Sequence, residues 1–247
     1  MNLILLRHGE SEWNKLNKFT GWTDVALTKK GKTEATEAAN QILRENYQIE
    51  TIYTSLLKRA VDTAKIVATI NNFCSNSIQF DWRLNERHYG SLQGLNKSET
   101  ADKYGEEQVH IWRRSFSIPP PLLDINDKRH PRFCDQFISI NHPLPCGESL
   151  KDVIERLNPF WSKYFSQIKK NSSDHLIVAH SNSLRAIIKI LDNLSEKDIM
   201  SVNIPTGIPL VYSFDDKFNI VNKRYLADNE TVSKQQEIIK QQGRKNG

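Results

Sequence analysis

Two short apolar runs that each end in a histidine, LILLRH at residues 3–8 and LIVAH at residues 176–180, decide the fold of this 247-residue chain. Continuous apolar runs of this length are typical of strands buried on both faces of a parallel sheet. Open parallel sheets bind ligands beyond the carboxyl ends of their strands. One histidine at a strand end is usually structural, but two at equivalent positions indicate a functional edge.

Strand and helix patterns alternate between and beyond these two runs. A helix is predicted from a Thr28 cap to about Asn46, with apolar residues at i, i+3 and i+4 spacing. This order predicts an α/β fold with a mostly parallel central sheet flanked by helices on both faces. The remaining predicted elements are a strand over 51–54, a helix from a Ser55 cap to about Ile70, a helix over 152–170 that Pro159 kinks or starts, a helix over 182–191, and strands over 210–214 and about 219–226 that can form a hairpin.

The segment over about 98–149 departs from this alternation. A helix containing KYGEEQVHIWRR is predicted to end near Arg114, and proline-rich irregular chain follows it. Long irregular segments inside a compact domain are usually functional lids or disordered loops. We interpret this one as a helical and irregular lid insertion, with a surface loop as the alternative. No repeat or linker divides the chain, so we expect one domain over 1–247, with a flexible tail from about 228.

Composition excludes several classes of protein. The net charge of +5 would suit nucleic acid, a membrane surface or small anions, but the charge is scattered and no nucleic-acid-binding motif is present. No apolar run reaches the roughly 18–20 residues that span a bilayer. The three cysteines lack zinc spacing and are expected to be reduced thiols. Met1 runs directly into a strand-like segment without the features of a signal peptide, so we expect a cytoplasmic protein.

Arginines accompany both histidines at the predicted sheet edge. Arg7 precedes His8, and Arg59 falls in the first turn of the helix after strand 51–54. Arginine binds phosphate bidentately, and neighbouring cations disfavour imidazolium, which leaves a ring nitrogen able to attack phosphorus. A group must also move the proton, and Glu86, in the segment RLNERHYG, is the best candidate. A glutamate in a loop is normally a solvated charge, and Glu86 is singled out by the family resemblance that follows. These residues predict phosphoryl transfer through His8, with His180 beside it.

The motifs, taken in order, carry a resemblance to a known family. They are LLRHGESEWN (5–14), FTGW (19–22), TSLLKRA (54–60), LNERHYGSLQGLNKSET (84–100), IWRR (111–114), AHSNSLRA (179–186) and NIPTGIPLVY (203–212). RHG alone is a weak signal, but this set in this order is specific. The chain resembles the cofactor-dependent phosphoglycerate mutases, a branch of the histidine phosphatase superfamily, along nearly its whole length.

The resemblance implies interconversion of 3-phosphoglycerate and 2-phosphoglycerate, in glycolysis and gluconeogenesis. His8 would carry a phosphoryl group loaded from the cofactor 2,3-bisphosphoglycerate, and no metal would take part. Arg7, Arg59 and His180 would hold the transferring group, and Glu86 would handle the proton. Contacts to the substrate are further implied for Ser11, Asn14, Thr20, Gly21, Arg87, His88, Tyr89, Lys97, Arg113, Arg114, Ser181 and Asn182.

The sequence also departs from the family pattern, and alternatives remain. Ser181 replaces the usual glycine after the second histidine, where it could also cap the following helix, and the segment over 134–147 matches poorly. A phosphatase or a bisphosphoglycerate mutase on the same fold is the main alternative, and a catalytically silent binding protein is a second. A metal-dependent mutase would need clustered Asp, His and Ser ligands, which the sequence does not supply. The assembly is left open between a homodimer and a homotetramer.

Overall fold

The two apolar runs that end in histidine lie side by side in the centre of a mixed sheet. A computed structural model describes residues 1–74, 77–168 and 173–242. Within those residues the sheet has six strands in the order β3-β2-β4-β1-β5-β6, with parallel pairing among β1 to β4 and antiparallel pairing of β5 with β1 and β6. The strands are β1 (Asn2–Arg7), β2 (Ile49–Thr54), β3 (Ile78–Phe80), β4 (Asp174–Ala179), β5 (Leu210–Phe214) and β6 (Ile220–Tyr225).

Helices cover both faces of this sheet, which confirms the predicted α/β class. Alternate residues of β1 point to opposite faces: Leu3 and Leu5 join one apolar cluster, and Ile4 and Leu6 join the other. The first cluster contains α6 (Leu150–Ile168) and α7 (Ser181–Leu191), and the second contains α2 (Lys29–Arg44) and α3 (Lys58–Ile70). The other helices of the described chain are α1 (Glu12–Lys15), α4 (Lys97–Tyr104), α5 (Glu106–Arg114), α8 (Asp198–Ser201) and α9 (Asn229–Gln241).

Three of the predicted helix starts are corrected. Thr28 caps α2 as expected, since its side chain accepts from the Gly31 amide. Ser55 does not cap α3, which begins at Lys58 with Leu57 as its N-cap. Helix α6 begins at Leu150 and runs through Pro159, so the proline does not mark its start. Ser181 is the first residue of α7 rather than its cap, because His180 occupies the N-cap position.

The predicted lid insertion is partly helical and partly irregular, as expected. Gly105, with φ of +87°, separates α4 from α5, so the single predicted helix is two helices, of which the second ends at Arg114. Irregular chain over 115–149 follows and contains two short 3-10 turns, Pro131–Phe133 and Asp135–Phe137. Ala101 of α4 and Val109 of α5 pack on Phe19, so the lid sits against the loop that follows β1.

The tail from about 228, which was expected to be flexible, forms a helix in the described residues. Asp228 accepts from the Thr231 amide and caps helix α9, whose Val232 and Ile239 are buried. The polar, glutamine-rich sequence of α9 gives little helical signal, because only two of its apolar side chains, Val232 and Ile239, are buried against the rest of the protein. The single domain over 1–247 remains a prediction. No helix in the described ranges is long and apolar enough to cross a membrane.

Candidate active site

The carboxyl ends of β1 and β4 bring the two predicted histidines together. The His8 amide donates to Ala179 O at 3.0 Å, extending the β1–β4 ladder by one residue. The rings of His8 and His180 then meet edge to face with centroids 4.9 Å apart. Arg59, in the first turn of α3, reaches the same point and donates from Nε to His8 Nε2 at 3.3 Å. Parallel pairing of the two central strands therefore builds the core of the site.

The hydrogen bonds of His8 fix which ring nitrogen carries its proton. Nδ1 lies 2.7 Å from the carbonyl oxygen of Gly9, and a carbonyl can only accept, so Nδ1 carries the hydrogen. Nε2 is therefore the unprotonated nitrogen, which agrees with the donation it receives from Arg59. Burial, followed by the charges of Arg59 and Arg7, holds the pKa of His8 well below its ordinary value of 6.5. The ring is therefore neutral and held in one tautomer, with Nε2 free of a proton.

His180 is placed by Ser55, the residue expected to cap α3. The Ser55 hydroxyl accepts from the Leu57 amide at 3.1 Å and lies 2.7 Å from His180 Nε2. If the hydroxyl hydrogen points at Nε2, the ring proton of His180 resides on Nδ1, which is buried and has no partner among the described residues. Burial, then Arg59 and His8, keep the pKa of His180 well below 6.5. With the hydroxyl in that orientation, Nδ1–H of His180 is a donor without a partner among the described residues, and its ring lies against that of His8.

The two predicted arginines are anchored by backbone carbonyls rather than by carboxylates. Arg59 donates to Gly21 O at 2.9 Å and to Thr23 O at 3.0 Å, and Arg7 donates to Ile204 O at 2.8 Å. Arg7 Nε is buried without a partner in the described chain. Desolvation lowers the pKa of Arg59 to about 10 and also lowers that of Arg7. Because carbonyl oxygens hold these guanidinium groups in place without neutralising their charge, both groups can bind an anion.

Glu86 lies at the N-terminus of α7. Its Oε1 accepts from the Asn182 amide at 3.1 Å, from Asn182 Nδ2 at 3.0 Å and from the Arg87 amide at 2.8 Å. Arg185 donates to Asn182 Oδ1 at 2.9 Å and so orients that side chain. These donors fix the Glu86 carboxyl group against the first turn of α7.

A second group of cations lies on the lid, at the outer end of the same cavity. Lys97 begins α4, and Arg113 and Arg114 end α5. Burial, and then the neighbouring arginines, hold the pKa of Lys97 well below 10.5 and lower that of Arg113 to about 9. Mutual repulsion of this kind is relieved when anions bind between the cations. The cluster is therefore suited to a ligand with two anionic ends.

The loop after β1 supplies the polar wall of the cavity. Ser11 caps α1, and its hydroxyl and amide both donate to Asn14 Oδ1, which fixes the orientation of that amide side chain. Gly21 has φ of +55°, and a Cβ there would lie 2.0 Å from Gln93 Oε1, which accepts from the Trp22 amide. Glycine is required at this position because a side chain would displace the loop that Arg59 binds.

Helix α9 closes the cavity from the outside. Lys97 Nζ donates to Gln242 Oε1 at 3.1 Å, Arg113 donates to the Gln242 carbonyl, and Ile239 also lines the cavity. The enclosed space measures about 50 Å³, enough for a few water molecules. A ligand that pairs with both Lys97 and Arg113 would compete with their bonds to Gln242.

Most of the predicted site residues meet at this cavity. Arg7, Asn14, Thr20, Gly21, Glu86, Tyr89, Lys97, Arg113, Arg114, Ser181 and Asn182 line it. His8, Arg59 and His180 lie beneath its floor, 0–2% exposed.

Three predicted contact residues do not line the cavity. Ser11 positions Asn14, and Arg87 donates to the carbonyls of Trp112 and Arg113, so it ties the end of α5 to the segment that carries Glu86. The ring of His88 accepts from the Gly90 amide and is buried away from the cavity.

Three residues that line the cavity, Lys18, Ile239 and Gln242, were not predicted from the sequence. Lys18 stands two residues before the Thr20-Gly21 pair, so the motif FTGW (19–22) could have pointed to it. The two residues of α9 carried no sequence signal.

Comparison with known proteins agrees with this geometry. The sequence model of the histidine phosphatase superfamily (branch 1) matches residues 3–122 and 124–223. A 2,3-bisphosphoglycerate-dependent phosphoglycerate mutase of Treponema denticola is 50% identical over 99% of this chain and 100% of its own length. Proteins of the same name from Lachnoclostridium phytofermentans and Parabacteroides distasonis are 49% and 48% identical, each over 99% of this chain and 98% and 99% of their own lengths.

The chain belongs to the 2,3-bisphosphoglycerate-dependent phosphoglycerate mutases of the histidine phosphatase superfamily. Solved structures confirm the superfamily fold. A mycobacterial glucosyl-3-phosphoglycerate phosphatase in complex with VO3 superposes with a TM-score of 0.69 at 22% identity, covering 92% of this chain and 98% of that one. An α-ribazole-5'-P phosphatase of Escherichia coli gives 0.64 at 20% identity, covering 88% and 93%. At this identity the likeness concerns the fold alone.

Proposed function

We propose that the protein interconverts 3-phosphoglycerate and 2-phosphoglycerate in glycolysis and gluconeogenesis, through a phosphohistidine at His8 that 2,3-bisphosphoglycerate primes. The full-length relatives named above support this reaction and this cofactor. The single observation that carries the mechanism is the state of His8. Its Nε2 is unprotonated and faces Arg59, while Gly9 O holds the proton on Nδ1.

In the priming step, His8 Nε2 forms a bond to a phosphorus atom of the bisphosphate as the bond from that phosphorus to the substrate oxygen breaks. The protonated Glu86 carboxyl group gives its proton to that oxygen and becomes the carboxylate that later accepts a proton. The ring becomes positively charged on phosphorylation, and the Nδ1–H donation to Gly9 O stabilises that charge. Arg7, Arg59 and the Nδ1–H of His180 would bind the equatorial oxygens of the transferring group.

Glu86 balances the protons of the cycle. When a hydroxyl of the acceptor attacks the phosphorus on His8, its proton passes to the Glu86 carboxylate as the new oxygen–phosphorus bond forms. The same carboxyl group returns a proton to the leaving oxygen when phosphate goes back to His8. The amide donors of Asn182 and Arg87 hold one oxygen, Oε1, so the other can face the substrate.

The lid cations set the direction of binding and exclude water. Lys97, Arg113 and Arg114 would hold the carboxylate or second phosphate of the substrate while the first reacts. Because α9 covers these residues, closure would keep water from the phosphohistidine. This closure is the feature that favours a mutase over the alternative phosphatase reading.

The test of the proposed function is direct. Turnover of 3-phosphoglycerate to 2-phosphoglycerate is measured by coupling to enolase, with and without 2,3-bisphosphoglycerate, in the presence of a metal chelator that is removed before coupling. Activity that depends on the bisphosphate and ignores the chelator is expected; among the described residues no metal-binding cluster is found. Strong inhibition by the chelator, reversed by manganese, would contradict the proposal.

We also propose that the protein acts in the cytoplasm as a homodimer or homotetramer and binds neither nucleic acid nor membranes. The substrates are small phosphorylated acids, which the buried cationic cavity suits better than an extended polymer. Light scattering of the purified chain measures the assembly, and a monomer mass would contradict it.

A further inference from the structure

A second cationic cleft lies on the outer side of the lid arginines. It has a volume of about 450 Å³ and lies between α5, α8 and α9. Arg113 and Arg114 separate it from the substrate cavity, since both residues line both spaces. The other residues that line the cleft are His110, Lys197, Met200, Ser201, Asn203 and Lys240.

The charge of this cleft is of one sign. Among the described residues that line it, four are lysine or arginine and none carries a carboxylate. Arg113 and Arg114 donate to backbone and amide oxygens, the latter to Asn203 Oδ1 at 2.6 Å, and so keep their full charge uncompensated. Lys240 makes an exposed ion pair with Glu237 at 3.4 Å. An exposed pair of this kind is weak, so Lys240 can turn to a stronger anion.

The position of the cations links the cleft to closure of the active site. Arg113 and Arg114 belong to α5, Lys197 is the N-cap residue of α8, and Lys240 lies in the last turn of α9. Lys240 follows Ile239, which lines the substrate cavity, and Gln242 is bound by Lys97 and Arg113. An anion that contacts Lys240 together with the cations of α5 and α8 would hold α9 in its closed position.

We propose that this cleft is a second anion site, distinct from the substrate cavity, for a small ligand that carries a chain of three or more phosphate groups, and that its occupation holds α9 closed. A chain of phosphates offers several charged groups to the cations of the three helices, whereas a single phosphate offers only one. Each exposed contact is weak on its own, so affinity depends on several acting together. The site lies outside the proposed reaction, and its binding test needs no turnover.

The probe is inorganic tripolyphosphate, titrated calorimetrically into the protein at about 0.15 M salt, with the active site saturated by 2,3-bisphosphoglycerate. One equivalent of probe is expected to bind under these conditions. Lys197→Ala and Lys240→Ala should each weaken that binding by about threefold, and the double variant by about tenfold. Lys234→Ala is the matched control, because Lys234 is an exposed lysine of α9 that does not line the cleft.

The outcomes separate the possibilities. Orthophosphate should bind at least about tenfold more weakly than tripolyphosphate, since it cannot span the helices. Loss of all probe binding when the bisphosphate is present would mean that the probe enters only the substrate cavity, and the site would be refuted. Equal affinity in the double variant and in Lys234→Ala would also overturn it. Amide hydrogen exchange in α9 should slow when tripolyphosphate binds. Unchanged exchange would refute the claim that the ligand holds α9 closed.

Discussion

The hydrogen bond between Ser55 and His180 offers a sharp prediction, because Ser55 does not line the cavity. Ser55→Ala removes a hydroxyl that is 0% exposed and lies 2.7 Å from His180 Nε2. A buried polar atom left unpaired costs about 1–3 kcal/mol, and the tautomer of His180 is no longer fixed. If that cost falls on the transition state, kcat decreases by between about fivefold and about 150-fold. KM should change by less than about threefold, because no substrate contact is lost.

The matched control is Ser183→Ala. Ser183 is also 0% exposed, and its hydroxyl bonds the backbone of the same histidine, at 3.1 Å from the His180 amide. Both variants lose a buried hydroxyl and are expected to unfold at lower denaturant concentration, but only Ser55→Ala removes a partner of the ring. Steady-state kinetics of both, at matched fractions of folded protein, measure the difference. If Ser55→Ala retains the kcat of the parent protein, or if both variants lose kcat equally, the assigned role of Ser55 is wrong.

Three other predictions concern the lid, the motif departure and pH. Replacing Arg113 and Arg114 together with alanine should raise KM and the share of phosphate lost to water, since each charge-assisted contact contributes about 1.5–3 kcal/mol; an unchanged mutase-to-phosphatase ratio would assign both to structure only. Ser181→Gly should change kcat/KM by less than about tenfold, because Ser181 has helical backbone that does not require glycine, whereas Ser181→Val should lower kcat/KM much more. A gain of orders of magnitude in kcat/KM of the glycine variant would show that the parent protein is a defective enzyme. The lowered pKa values of His8 and His180 keep both rings neutral in the folded state, so kcat/KM should stay constant as the pH falls through 6.5. The free energy of unfolding should decrease below that pH, because the histidines take up protons only in the unfolded state. A kinetic pKa at or above 6.5 that disappears in His8→Ala would contradict the burial argument.

The central sheet and the floor of the site could be predicted because they depend on strong, local patterns. LILL (3–6) and LIVA (176–179) are apolar throughout, since β1 and β4 are buried on both faces, and the parallel pairing of these strands places His8 and His180 together. Arg59 follows from the position of α3 after β2. The resemblance to the family supplied Glu86 and the lid residues, which no periodicity marks.

The parts that were missed depend on contacts distant in sequence. Strand β3 has three residues and forms only by pairing with β2 at the edge of the sheet. Helix α9 buries two side chains and is positioned by Lys97 and Arg113, far away along the chain.

Two serines were misassigned for a related reason. Ser55 and Ser181 are both good helix caps by residue type, but each lies where the histidine site determines the local backbone. Ser55 instead bonds the ring of His180, and His180 itself takes the cap position before Ser181. At a catalytic edge, the needs of the site override local capping preference.

The central claim is that His8 carries the phosphoryl group, and trapping the phosphoenzyme tests it most directly. The protein is incubated with radiolabelled 2,3-bisphosphoglycerate, quenched, and assayed for protein-bound phosphate that is labile in acid and stable in base. The account predicts near-stoichiometric label in the parent protein, at the peptide containing His8, with no label in His8→Ala and a fall in turnover of at least about 10³-fold. Label that persists in folded His8→Ala would contradict it.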